Sequence, residues 1–144
     1  MTKGNTFMPI RPDWLARHQE EIIDPALPIV DAHHHVWIRN GVRYLLDDLL
    51  QDIQTGHNIV STIFIEAGAM YRDDGPAELR SLGEVEFVNG IAAAAASGIY
   101  GPARLCAGIV GFVDLRLGAR AKPILELMMA RCGGRFKGVR NLGS

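Results

Sequence analysis

The feature that most constrains this chain is an alternation. Short β-branched runs take turns with longer stretches of helical spacing, and glycine or proline stands at most of the joints. Pro28 to His34 reads as a strand, with Ile29 and Val30 followed by Asp, Ala and His. Tyr44 to Thr55 carries Leu45, Leu46, Leu49, Leu50 and Ile53 at helical spacing, and Gly56 stops it. Ile59 to Ala67 is short and β-branched, a second strand. A loop rich in Gly, Asp and Arg follows, to about Gly83. Glu84 to Ser97 is a second helix, and Gly98 suits the position just past its end. Leu105 to Leu115 is a third strand, and Pro123 suits the first turn of a third helix that runs to Cys132. Gly133-Gly134 then turns the chain into a fourth strand, Phe136 to Asn141. The order βαβαβαβ implies a parallel sheet with helices packed outside it.

Residues 1–27 stand apart. Pro9, Pro12, Trp14 and the charged run from Arg17 to Glu21 predict an arm with a short helix packed by Trp14, closed off by Pro25 and Pro28. The α/β domain then covers residues 28–144. Two architectures suit its pattern. An open doubly wound sheet completes itself in about this length, whereas a (β/α)₈ barrel needs about 250 residues. No GxGxxG follows the first strand, so the dinucleotide-binding form of the open sheet lacks its usual signature.

Composition narrows the classes of function. The chain is 48% hydrophobic and 22% charged, ordinary for a globular domain with a real core. A formal charge of −1 offers no basic field to nucleic acid. No apolar run approaches the roughly twenty residues that a membrane helix needs, and the first residues lead into no signal-type apolar segment. Cys106 and Cys132 sit in apolar surroundings without CxxC spacing, which reads as buried free thiols in a reducing compartment. The expectation is a cytoplasmic protein with a small-molecule or protein partner, and no nucleic acid or membrane.

The run Asp31-Ala32-His33-His34-His35-Val36-Trp37 carries the chemistry. Side chains alternate along a strand, so His33 and His35 share a face while His34 points away toward the outer helices. Two imidazoles at i and i+2 near a strand end can grip one divalent ion, and zinc commonly takes imidazole nitrogen. Asp31 lies deeper on their face and could orient a histidine. A strand end whose histidines merely hydrogen-bond fits the same short pattern.

The stretch Pro28-Ile29-Val30-Asp31-Ala32-His33-His34-His35-Val36-Trp37 resembles the opening strand of the amidohydrolase superfamily, and is most similar to the amidohydrolase-2 group that includes dicarboxylate and sugar-acid lactonases. Arg11-Pro12-Asp13-Trp14 is similar to arms that precede that strand. Ile63-Phe64-Ile65-Glu66-Ala67, Phe112-Val113-Asp114-Leu115 and Phe136-Lys137-Gly138-Val139-Arg140-Asn141 resemble the second, third and fourth strands. Relatives often carry histidine after that arginine, where this chain has Asn141. The resemblance runs from about Pro9 to Asn141 and implies the N-terminal half of a (β/α)₈ TIM-type barrel, about four parallel strands with outer helices. Its site would lie at the C-terminal strand ends.

There the resemblance makes His33 and His35 catalytic and the holders of a divalent metal, zinc by preference, although some lactonases of the group work without one. Arg140 would clamp a substrate carboxylate. Glu66, Tyr71 and Arg72 would line the substrate, and Asp31 would support the histidines from below. Asp114 suits a capping role, Trp37 a packing role, and His18 and His57 the surface. The implied reaction is attack of activated water on a lactone or related cyclic ester of a small acidic substrate. A decarboxylase of the same superfamily is the nearest alternative.

Four strands are half of what such a barrel needs. In the superfamily, further histidines come from strands five and six, and an aspartate from strand eight. The expectation is therefore a truncated product, inactive by itself. The alternatives are a homo-oligomer, a complementing half-barrel chain, or a non-catalytic open module.

Overall fold

The computed structural model describes residues 11–39 and 41–142. The arm contributes one helical turn, α1 (Pro12–Leu15), after which the chain runs exposed to the first strand. Trp14 does not pack this arm: it is 58% exposed, because four residues present no face that could be buried. The charged run after it is not helical.

β1 spans Pro28–His34, the limits read from the sequence. A hairpin follows, β2 (Trp37–Arg39) paired antiparallel with β3 (Val42–Tyr44), its turn containing Gly41 at φ +78°. The helical spacing read from Tyr44 onward therefore starts later, at α2 (Leu46–Ile53). Asp48 satisfies the first turn by accepting from the Leu45 N–H at 2.8 Å. β4 (Asn58–Ile65), α3 (Leu82–Ala96), β5 (Arg104–Gly111), α4 (Ala121–Arg131) and β6 (Phe136–Val139) complete the order. Asp114 lies beyond β5, where its carboxylate accepts from the Arg116 N–H and caps the 3₁₀ segment Leu115–Arg120.

The result is an α/β fold with a four-stranded parallel sheet in the order β1-β4-β5-β6, flanked by helices. Strand order follows chain order. A doubly wound sheet reverses at a switch point, whereas right-handed crossovers without reversal place every helix on one face. The core agrees: Leu49 of α2, Val85, Val88 and Ile91 of α3, and Ile124 and Met128 of α4 meet Phe64 of β4 and Leu105 and Ile109 of β5 in one buried cluster. Alternation puts Ile59, Ser61, Ile63 and Ile65 of β4 on the opposite face, where each is only half-buried. Among the described residues no pairing between β1 and β6 closes the sheet, and no helix is long and apolar enough to cross a membrane.

His34 belongs to the helix side. Its Nε2 lies 2.8 Å from the Thr62 hydroxyl, which also accepts the Cys106 N–H at 2.9 Å. Burial holds the His34 imidazole below its ordinary pKa and pushes the Cys106 thiol up to about 12, so both stay neutral. Cys106 adopts φ +49° next to the register shift between β4 and β5, with Thr62 supplying the acceptor for its N–H.

One glycine is needed for close approach. A Cβ on Gly83 would lie 2.6 Å from the Met70 carbonyl oxygen and 2.8 Å from the Arg72 nitrogen, both backbone atoms. Gly83→Ala is expected to destabilise the fold by about 1–3 kcal/mol by forcing the loop off α3. Chemical denaturation measures this, and an unchanged midpoint would show that the loop does not dock there.

Candidate functional site

The site gathers at the C-terminal ends of β1, β4 and β6. Continuing β1 by one residue brings His35 round to the face of His33, and their Nε2 atoms lie 3.3 Å apart with the rings edge-on. His35 Nδ1 is 2.7 Å from the Ile65 carbonyl oxygen at the end of β4. A carbonyl only accepts, so Nδ1 carries the proton and His35 Nε2 presents a lone pair toward His33. Trp37 stacks on His35 at 5.3 Å between centroids, which steadies the ring. Partial burial, then the neighbouring His33 and Arg140, hold the His35 imidazole below its ordinary pKa, keeping it neutral and able to ligate.

Two nitrogens bound at zinc distance in a tetrahedral site lie about 3.3 Å apart. The separation of His33 and His35 therefore fits two of the four positions around such an ion, and equally fits one hydrogen bond donated by His33. Among the described residues no group of three or more His, Cys, Asp or Glu side chains could hold a metal ion. Asp31 does not reach either imidazole; its carboxylate accepts the His33 backbone N–H at 3.1 Å and shapes the strand where its register shifts.

Glu66 and Arg140 meet each other across β5. Arg140 donates from Nε to Glu66 Oε1 at 2.9 Å and from Nη2 to the Glu66 main-chain carbonyl. Among the described residues no bond engages Nη1. The charges of Arg140 and Glu66 are both felt by His35. Tyr71 stands close enough to Glu84 and Glu66 that their charges add to burial in raising its hydroxyl pKa. Arg72 is not brought to the histidines. It pairs with Glu86 on α3 at 2.6 Å, which occupies its guanidinium on the helix side.

Sequence reasoning passed over Glu84. It sits in the first turn of α3 with 1% exposure, and its Oε1 accepts the N–H groups of Ala67 and Ala69 in the loop after β4. A signal was present: Glu84 shares a stripe with Val88, Ile91 and Ala95, three apolar residues at helical spacing. An acid on that stripe is buried, and a buried acid needs donors.

No protein-family model, curated protein or solved structure matches the chain.

Proposed function

We propose that this strand-end site is that of a hydrolase of the amidohydrolase-2 type, which cleaves a lactone or related cyclic ester of a small acidic substrate with activated water. The sheet is then the N-terminal half of a (β/α)₈ barrel. The observation that carries the reading is the His33–His35 pair, with Nε2 atoms 3.3 Å apart at the strand end where Arg140 also arrives. His33 and His35 would hold a divalent ion, zinc by preference, which supplies activation of water and polarisation of the ester carbonyl. The neutral, Nδ1-protonated state of His35 supports that role. Arg140 would orient the substrate through its carboxylate, using the donors that Glu66 leaves open.

The test has two parts. Zinc added to the protein is expected to perturb the ring signals of His33 and His35 and to bind weakly, because a catalytic site normally has three protein ligands. His33→Ala and His35→Ala should each abolish the effect, and stoichiometric zinc that survives both substitutions would sink the assignment. Turnover of a lactone panel, against aromatic acids as decarboxylase substrates, identifies the reaction.

The edges of β1 and β6, unpaired among the described residues, with a two-histidine site, favour a second reading: a half-barrel inactive until a partner chain or second copy completes it. Size-exclusion with light scattering, read beside turnover, separates the two: an active monomer upholds the first reading, and activity confined to a dimer or to a mixture with a second chain upholds the second.

A further inference from the structure

We propose that Glu84 is a positioning residue of the strand-end site, holding from the helix layer the peptide that anchors Arg140. The inference rests on reading that end of the sheet as a site.

One peptide unit makes the link. The Ala67 N–H donates to Glu84 Oε1 at 3.1 Å, and the carbonyl of the same peptide, that of Glu66, accepts from Arg140 Nη2. The peptide is planar, so its two hydrogen bonds are fixed relative to each other. A carboxylate on the N–H side also polarises the carbonyl toward the guanidinium. Glu84 thus acts on Arg140 through the backbone between them.

The second bond, from the Ala69 N–H at 2.8 Å, extends the grip along the loop. Ala67 and Ala69 are both buried, so without Glu84 their amides would lack an acceptor. The loop also needs holding: Gly68 lies at φ +66° and Met70, which is not glycine, at φ +55°. Tyr71 follows immediately.

The carboxyl is placed to respond to pH. Burial, reinforced by Glu66, raises its pKa to about 7, while the two amide bonds and Arg140 oppose the rise. Glu66 at the end of β4, Arg140 after β6 and Tyr71 in the loop are the ionisable groups that face it. Glu84 Oε2 is buried and, among the described residues, has no hydrogen-bond partner. Because the folded pKa lies above the ordinary value of 4.5, the folded state keeps a proton that the unfolded state has lost. Stability from this group is complete below the ordinary value and falls away as pH rises toward 7.

The experiment is a pH titration of backbone amide and arginine side-chain signals by NMR, on the whole chain, with E84Q and E84A. In the unaltered protein the amide protons of Ala67 and Ala69 should move together with a midpoint near 7, and Arg140 Nε should show a component with that midpoint. In E84Q, whose amide oxygen still accepts, the loop stays closed and that component disappears from all three signals. In E84A the Ala67 and Ala69 amides should exchange roughly tenfold faster. Titration that persists in E84Q, an Arg140 signal indifferent to Glu84, or unchanged exchange in E84A would each overturn the proposal. A failure to bind small dicarboxylates or to turn over lactones would bear on the proposed function alone.

Discussion

Arg140→Ala is expected to lower stability by about 3 kcal/mol and to remove carboxylate binding at the strand ends. The stability loss comes from Glu66, whose side chain is 8% exposed and whose charge would lose the guanidinium at 2.9 Å. Breaking such a pair on one side costs more than removing both partners, because the surviving ion is stranded away from water. The double variant Glu66→Gln/Arg140→Met should therefore recover to within about 1 kcal/mol of the unaltered protein. It should not recover binding, since the guanidinium assigned to meet the anion is gone. Urea denaturation reads the first quantity, and calorimetric titration with glutarate, a small dicarboxylate, reads the second. If the double variant bound glutarate as well as the unaltered protein, Arg140 would have no part in recognition. If Arg140→Ala unfolded at the same urea concentration as the unaltered protein, the ion pair would be structurally idle.

Phe64→Ala should have a larger effect, a loss of about 3–5 kcal/mol. The whole stability of a domain is commonly about 5–15 kcal/mol, so this one change brings the chain near its unfolding threshold. Phe64 has no exposed surface and sits where β4 meets the cluster formed by α2, α3 and α4. Its ring also meets His34 edge-on at 6.1 Å. The cavity would open beside an imidazole whose Nδ1 has no partner among the described residues. Phe64→Leu keeps most of the volume and should cost about 1 kcal/mol. Thermal unfolding of the two variants side by side decides the matter, and equal losses would mean that the core closes around the missing ring.

The β-branched runs and their glycine and proline joints made the main elements legible, because those residues restrict the backbone locally. The limits that the sequence predicts for the first strand, Pro28–His34, are those of β1. The hairpin of β2 and β3 was missed, although Asn40-Gly41 between short apolar runs is a recognised hairpin signal. The helical spacing of the following leucines drew the boundary too early. Asp114 suits a cap by residue type and is one in the fold. The site was legible only where alternation along one strand decides direction, as for His33, His34 and His35. Contacts between distant segments were not. Nothing near Arg72 in sequence says that Glu86 will take its guanidinium, and nothing near Asp31 says that it will serve a backbone N–H instead of an imidazole. Glu84 lay between these cases, its burial readable from helical spacing but its partners fixed by the tertiary fold.

The bond between Arg140 and Glu66 joins residues 74 positions apart and spans two strand junctions. Closing a loop of that size costs entropy before any contact repays it. The ion pair needs β5 and β6 in place between its two ends, so its formation is expected to follow the docking of both strands. The same logic runs in reverse. If β6 peels away first on heating, the carboxylate binding proposed for Arg140 is expected to fade before the helical signal, because the helices still share their core.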